Sequence, residues 1–180
     1  DYAARPYKYF GHGSIISWPT GNMYGERWIS IGEDTMIASD VTLSAGMVPG
    51  QEMLTDPVVM IGDRCLIGRG SSIVGHYRID IGNDVFTGMN VYITDQNHGY
   101  EDPQTPIGIQ DPLDDPVVIG DGSWIGTGAV VLPGARIGRN CVIAANSVVR
   151  GEFPAHSVIA GVPGKVVRVY DGMKWNRPQS

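Results

Sequence analysis

Aliphatic residues recur at every sixth position in the central part of the chain. These positions are Ile119, Ile125, Val131, Ile137, Ile143 and Val149. A small residue follows four places after each of the first five: Ser123, Ala129, Ala135, Cys141 and Ser147. A period of six fits neither an α-helix nor a strand that alternates every two residues. It predicts a solenoid with three short sides per coil, whose coils stack because one coil cannot bury its apolar face alone.

The same period extends toward the N-terminus, with three interruptions. Earlier hexads begin at Ile31, Ile37, Leu43, Ile61, Ile67, Ile73, Ile81, Thr87 and Ile93. The break at Pro49–Pro57 predicts a short loop thrown out from a corner, and Ile81 arrives two residues late, which predicts a small bulge. Between residues 95 and 116 the hexads vanish in an acidic, proline-rich stretch. A protruding loop of that length favours a functional role.

The two ends of the chain lack a clear hexad pattern. Residues 1–28 are rich in aromatic side chains: Tyr2, Tyr7, Tyr9, Phe10, Trp18, Tyr24 and Trp28. We predict that they form a cap over the open end of the solenoid. The alternative is that some of them line an acceptor pocket or a subunit contact. The predicted layout is a cap over 1–28, a β-helix over 29–163 with a protruding loop at 95–116, and a tail over 164–180. For the last residues, 173–180, a short helix or strand that crosses to a neighbouring subunit is one possibility, and the sequence does not choose between them.

Composition and charge narrow the class of function. The formal net charge of −6 argues against a nucleic-acid partner. No stretch approaches the roughly 20 apolar residues that a membrane span needs. No signal peptide is visible, so we expect a cytoplasmic protein, although the chain begins at Asp1 and residues can precede it in the native protein. Cys65 and Cys141 occupy small corner positions, which favours buried thiols over a disulfide or a catalytic thiol.

The hexads, of the form [LIV]-G-x-x-[small]-x, resemble those of the hexapeptide-repeat acyltransferases. The resemblance covers roughly residues 29–168, including the closing segment EFPAHSVIAGVPGKVVRVY. It implies an all-β solenoid, a left-handed parallel β-helix, whose handedness comes from the resemblance only. It also implies direct transfer of an acetyl group from acetyl-CoA to a hydroxyl of a sugar or polysaccharide precursor. The family's active sites lie between the subunits of a homotrimer, which the resemblance therefore implies here.

His98, in Asn97-His98-Gly99, stands where this family has its catalytic base. A neutral imidazole can take the proton of an acceptor hydroxyl and titrates near working pH. A loop histidine with only a structural role is the alternative. Asp95, Glu101 and Asp102 are local candidates for orienting the ring, although a solvated loop charge is the expected role of each.

The resemblance also implies a set of cofactor contacts. Thr127, in the segment Trp-Ile-Gly-Thr, is expected beside the thioester, where its backbone N–H or hydroxyl would steady the oxyanion. The coenzyme A contacts of the family fall on Trp124, Ala145, Arg150, Lys165 and Arg168. The three cations suit the phosphates of the nucleotide end. The alternatives are an outward tryptophan that only packs and a solvated basic C-terminal end.

The acceptor side departs from the galactoside acetyltransferases. Gly70 stands where those enzymes keep an acceptor-binding asparagine, and Asn146 replaces the usual glycine after Ala145. His76 could compensate by facing the acceptor, or it could be a structural histidine at a coil corner. Tyr100, in the long loop, is also expected to contact the acceptor. The chain therefore looks closer to acetyltransferases of polysaccharide, cell-envelope or xenobiotic pathways.

Three other functions remain open at this stage. Transfer to the nitrogen of an amino sugar would use the same base and groove. A non-catalytic assembly or binding module would not need the ordered set of His98, the basic residues and Thr127. A zinc enzyme that resembles γ-class carbonic anhydrases needs a pair of histidines five residues apart, whereas the histidines stand at 12, 76, 98 and 156. We therefore expect no metal.

Overall fold

The computed structural model of the chain describes residues 7–48 and 50–178. Pro49, the last two residues and the first six, with the expected cap residue Tyr2, lie outside this range. Three sheets of parallel strands form the faces of a prism. The first face contains β1 (Tyr9–Phe10), β4 (Ile29–Ile31), β7 (Val59–Ile61), β10 (Ile79–Ile81), β15 (Val117–Ile119), β18 (Arg136–Ile137) and β21 (Glu152–Phe153).

The chain visits the three faces in turn. The second face contains β2 (Ile15–Ile16), β5 (Met36–Ile37), β8 (Leu66–Ile67), β11 (Phe86–Thr87), β16 (Trp124–Ile125), β19 (Val142–Ile143) and β22 (Ser157–Ala160). The third face contains β3 (Met23–Tyr24), β6 (Thr42–Ala45), β9 (Ser72–Gly75), β12 (Tyr92–Thr94), β17 (Val130–Val131) and β20 (Val148–Val149). The predicted solenoid of three-sided coils is therefore confirmed.

The lumen is filled by the aliphatic side chains that recur every sixth position. All six positions of the central run are buried, and so are the five small positions that follow them. Vertical stacking is in register, since Ile81 pairs with Ile119 and Ile119 with Ile137. Burial of roughly 1.5–3 kcal/mol per aliphatic side chain along the prism is the main stabilising term.

The two cysteines belong to this buried small set, as the pattern predicts. The Cys65 thiol lies 3.1 Å from the Gly82 carbonyl oxygen, and the Cys141 thiol lies 3.2 Å from that of Pro154. Both are free and buried. Burial raises the pKa of both thiols, so they stay protonated and poorly nucleophilic at neutral pH.

The N-terminal segment differs from the expected cap. Strands β1, β2 and β3 extend the three faces, so the β-helix begins at Tyr9 and not at residue 29. Phe10, Ile16 and Met23 lie in register with Ile31, Ile37 and Leu43 of the next coil. The sequence pattern misses this coil because Ile16 and Met23 are seven positions apart and not six.

The three interruptions that the sequence predicts all leave the prism at one corner, between the third face and the first. We call it the loop corner; it comprises residues 25–28, 46–48, 50–58, 76–78, 95–116, 132–135 and 150–151. The late arrival of Ile81 is the turn 76–78, as the predicted bulge requires. The long interruption forms an antiparallel hairpin, β13 (Gln96–His98) with β14 (Pro112–Asp114), joined by residues 99–111 that include a 3-10 turn at Ile107–Ile109.

The C-terminal tail turns back and extends the sheet of the second face. Strands β23 (Lys165–Tyr170) and β24 (Trp175–Asn176) add to β22 in antiparallel order. The last strand, Trp175–Asn176, thus pairs within its own chain. Among the residues that the structure describes, no helix is long and apolar enough to cross a membrane.

Candidate active site

Residues expected to hold the cofactor lie in one strip along the second face and its edge. Trp124 pairs with Val142, Val142 with Val158, and Val158 with Arg168. Opposite residues in a sheet share a face, so Trp124 and Arg168 point outward in the same row, three strand spacings or roughly 14 Å apart. Trp124 is 55% exposed. It therefore has a free ring surface beside the edge of the sheet.

The edge of this strip is the corner between the second and third faces, which we call the Thr127 corner. Thr127 and Ala145 are exposed there on successive coils, and the Asn146 amide donates to the Thr127 carbonyl over 2.9 Å. A side chain on Gly126 would meet the Ala145 nitrogen at 2.5 Å, so glycine is what lets the two coils approach. Lys165 pairs with Ala160 at the end of β22, which stacks on β19, the strand just before Ala145. Lys165 therefore lies at the same corner.

The basic residues of the strip are available for an anionic ligand. Lys165 and Arg168 are exposed, and neither takes part in an ion pair with another described residue. Arg150 is also exposed and unpaired within the described chain, but it follows β20 and lies at the loop corner. The structure thus brings together five of the six expected cofactor-side residues and leaves Arg150 one corner away.

His98 stands at the end of β13, on the hairpin that leaves the loop corner. Its side chain is exposed, and its ring donates no hydrogen bond to any residue in the described ranges. Its backbone N–H donates to the Asn97 side chain over 3.0 Å, and the Gly99 N–H donates to the Asp111 carbonyl over 3.2 Å. The hairpin therefore presents a free imidazole to the outside of the solenoid.

Asp95 is a buried structural residue, which corrects the expected solvated charge. Its carboxylate accepts the amides of His76 and Tyr77 at 2.8 Å each, and also that of Arg78. Burial raises the pKa of Asp95, and the three amide donors oppose that shift. Both carboxylate oxygens therefore accept hydrogen bonds from the turn 76–78, and neither is available to orient His98.

The other candidates for orienting His98 stay in the loop beyond it. The Asp102 carboxylate accepts the Thr105 hydroxyl at 2.6 Å and the Gln104 amide at 2.9 Å, contacts that hold the pKa of Asp102 low. Glu101 and Tyr100 are exposed. Tyr100 lies two residues after His98, which keeps it compatible with an acceptor contact. Glu101, Asp102 and Asp111 line an open groove in this loop with Ile109 and Leu113.

His76 has a different position from the one expected of a residue that faces the acceptor. Its Nδ1 lies 2.7 Å from Asp114 Oδ2, and its Nε2 lies 3.4 Å from the Gln51 amide nitrogen. Its side chain is only 14% exposed. Both ring nitrogens are therefore occupied within the protein, as the alternative of a structural histidine at a corner requires. Asp114 and Gln51 are partners that the sequence could not reveal, since 38 and 25 residues separate them from His76.

The expected base and the expected cofactor strip lie at the two opposite edges of the third face. His98 projects from the loop corner, whereas Thr127 and Ala145 occupy the Thr127 corner. The chain therefore does not place its own His98 at the corner of its own strip. The described residues contain no group of three or more His, Cys, Asp or Glu side chains that could hold a metal ion.

Two sequence families match the repeats directly. The bacterial transferase hexapeptide family (six repeats) matches residues 116–151, and the hexapeptide repeat of succinyl-transferase matches residues 58–95. These ranges lie on both sides of the protruding hairpin. The sixfold pattern of the sequence therefore corresponds to a known repeat on either side of the interruption.

Characterised and inferred acetyltransferases are similar over most of the chain. The probable acetyltransferase Rv3034c of Mycobacterium tuberculosis is 34% identical over 142 residues, which is 79% of this chain and 42% of that protein. The putative lipopolysaccharide biosynthesis O-acetyl transferase WbbJ of Escherichia coli is 37% identical over 121 residues, 63% of this chain and 62% of WbbJ. Galactoside O-acetyltransferase of Escherichia coli is 30% identical over 143 residues, 79% of this chain and 64% of that enzyme. The chain thus spans about two fifths to two thirds of the length of these relatives.

Solved structures show the same fold. AntD, an N-acyltransferase from Bacillus cereus in complex with dTDP and 3-hydroxybutyryl-CoA, superposes with a TM-score of 0.74 at 18% identity, over 90% of this chain and 82% of AntD. The hexapeptide-repeat acetyltransferase VCA0836 of Vibrio cholerae, complexed with acetyl coenzyme A, gives 0.59 at 24% identity, over 91% and 72%. Together with the repeat matches, they confirm the left-handed β-helix. The chain thus carries the hexapeptide repeats of bacterial transferases, and the relatives that it matches are acetyltransferases.

Proposed function

We propose that the protein transfers an acetyl group from acetyl-CoA to a hydroxyl of a sugar-type acceptor. The observation that carries this function is the strip of Trp124, Thr127, Ala145, Lys165 and Arg168, which the fold assembles from three separate stretches of chain. At one end of the strip, the Trp124 ring and the backbone of Thr127 and Ala145 suit the acyl-pantetheine arm of the cofactor. At the other end, the unpaired cations Lys165 and Arg168 suit its phosphates. The relatives WbbJ and galactoside O-acetyltransferase favour an oxygen acceptor over nitrogen.

The reaction requires one general base and one hydrogen-bond donor to the oxyanion. His98 takes the proton of the acceptor hydroxyl as its oxygen attacks the thioester carbonyl carbon. The Thr127 amide or hydroxyl donates to the oxygen that becomes negative. When the carbon–sulfur bond breaks, the imidazolium returns the proton to the departing thiolate, so the products are the acetyl ester and free coenzyme A. Because acetyl-CoA is the donor, the proposal places the protein in the cytoplasm.

The proposed active unit is a homotrimer. A single chain holds His98 and its own strip at opposite ends of the third face, so the base of one subunit serves the strip of a neighbour. An apolar row runs along the exposed second face and offers surface for subunit packing. Its members pair in sequence from coil to coil: Ile15, Met36, Leu66, Phe86, Trp124, Val142 and Val158.

Acetyl-CoA binding tests the cofactor strip. Replacing Lys165 or Arg168 with alanine should weaken acetyl-CoA binding by about 10- to 100-fold each, because each change removes a charge-assisted contact worth about 1.5–3 kcal/mol. Calorimetric titration measures the dissociation constants. Arg139→Ala is the matched control, since this exposed arginine lies on the corner between the first and second faces and should leave binding unchanged. Absence of binding by a folded wild-type oligomer would contradict the transferase function and favour a binding module.

Mixed oligomers test the shared site. His98→Ala subunits keep an intact strip, and Lys165→Glu/Arg168→Glu subunits keep an intact His98. Random co-assembly should restore activity at roughly a quarter of the sites, because each needs a base from one variant and a strip from the other. Activity is measured on co-expressed oligomers at acetyl-CoA concentrations below KM. If each site lay within one chain, mixing would restore nothing.

A further inference from the structure

The two ends of the His98 hairpin both contact the turn at residues 76–78. We call these two end residues, Asp95 and Asp114, the feet of the hairpin. Asp95, the residue before β13, accepts the three backbone amides of this turn. Asp114, the last residue of β14, accepts the His76 ring over 2.7 Å. The Asp115 N–H also donates to the Asp95 carbonyl over 2.8 Å and ties the two feet together. His76 thus holds one foot through its backbone and the other through its side chain.

Asp114 depends on the His76 ring for its position. One carboxylate oxygen contacts His76, and the other is buried without a hydrogen-bond partner among the residues described. The side chain is 19% exposed. Burial raises the pKa of Asp95, and the negative charge of Asp114 adds to that rise through like-charge repulsion. Losing the imidazole would leave a poorly solvated carboxylate unpaired, a cost that a shift of β14 toward solvent would relieve.

A movement of Asp114 would be transmitted to His98. In the hairpin, Asp114 pairs with Gln96 and Pro112 with His98. Opposite residues share a face and side chains alternate with a period of two, so Asp114 and His98 lie on one face of the hairpin, diagonal neighbours at roughly 7–8 Å. The anchor and the proposed base are therefore separated by a single residue pair.

The second nitrogen of His76 connects a third segment. The Gln51 amide nitrogen lies 3.4 Å from Nε2, while Gln51 Oε1 accepts the Met47 amide at 2.8 Å. Gln96, beside Asp114, contacts the Met47 sulfur over 3.2 Å. This pattern fits one tautomer, in which Nδ1–H donates to Asp114 and Nε2 accepts from Gln51. The loop of residues 46–57 is thereby fastened to the base of the hairpin.

We propose that His76 and Asp114 are positioning residues that fix the His98 hairpin against the neighbouring subunit's acyl groove. This inference rests on the proposed role of His98 as base. A displacement of about 1 Å at a reacting group can cost roughly 100-fold in rate, so the anchor acts on the chemical step. Acetyl-CoA contacts lie at the Thr127 corner and do not depend on it.

Kinetics of two His76 variants test the proposal. His76→Leu removes the donor to Asp114 and should lower kcat about 10- to 100-fold, with the acetyl-CoA dissociation constant unchanged within about threefold. His76→Asn keeps an amide nitrogen at the place of Nδ1 and should recover most of the lost kcat. A role in stability alone would lower the yield or the melting temperature and leave kcat per folded site unchanged, which would overturn the proposal.

Hydrogen exchange provides a readout that does not require activity. Amides of residues 96–98, 113 and 114 should exchange faster in His76→Leu and in Asp114→Leu than in the wild type, while strands of the second face keep their protection. Unchanged exchange in the hairpin would overturn the anchor. His98→Ala is assayed alongside: if it keeps full activity, the proposed base is wrong, and hydrogen exchange still decides whether His76 anchors the hairpin. If His98→Ala is inactive and His76→Leu is normal, only the positioning role fails.

Discussion

His98→Ala should lower kcat for acetyl transfer by roughly 10²–10⁴-fold, the range that a positioned general base supplies. The attacking hydroxyl then has no group to take its proton in the transition state. The side chain is exposed and its ring makes no contact that the described fold requires, so melting temperature and acetyl-CoA affinity should match the wild type. The measurement is steady-state kinetics with an acceptor from a sugar screen.

The matched control for this variant is His12→Ala. His12 is an exposed histidine in the first coil, on the corner between the first and second faces, away from the hairpin. It should keep wild-type kcat. If His98→Ala retained more than a tenth of the wild-type kcat, the base would be another group, and the free imidazole at the end of β13 would have no catalytic role.

Gly138→Ala should destabilise the β-helix by about 3 kcal/mol, a cost typical of overpacking where nothing can yield. A Cβ at this position would meet the Ala155 nitrogen at 2.4 Å and its Cα at 2.7 Å, so the clash is with the backbone of the next coil. For a chain of this size, that corresponds to a melting temperature lower by about 6–12 °C. Thermal scans under identical conditions measure the shift.

Gly108→Ala is the control substitution for the same chemistry. A Cβ at Gly108, in the long loop, would meet no heavy atom within 4 Å, and its backbone is not in the left-handed region. It should leave the melting temperature unchanged or raise it slightly, by reducing the freedom of the unfolded chain. Equal shifts for the two variants would show that close coil stacking does not require glycine at position 138.

The sequence predicted most of the fold because its signal is local and repeated. Ile119, Ile125 and Val131 mark three successive sides of one coil, and each repetition tests the same rule. The prediction was wrong at the N-terminus, where a single extra residue between Ile16 and Met23 hides a coil whose register the structure shows. Pairing with the next coil identifies it, and pairing is not visible along the chain.

The candidate site was predicted as a set of residues and not as an arrangement. Trp124, Ala145 and Arg168 follow from the family pattern, and the structure brings them into one strip. For His76, which was expected beside the acceptor, the sequence did not reveal that Asp114 and Gln51 occupy both ring nitrogens. Their contact depends on the hairpin returning to the loop corner, which no local pattern encodes.

The sequence alone determined the lumen, the period of the coils and the position where the solenoid is interrupted, since each depends on side-chain size at fixed spacing. Only the tertiary structure decided that the three predicted interruptions leave by one corner, and that the basic tail folds back to the corner at the other end of the third face. It also decided that Asp95 and Asp114 stand on one turn. Stacking brings residues from different coils within 5 Å of each other, and this nearness is set by the prism and not by distance along the chain.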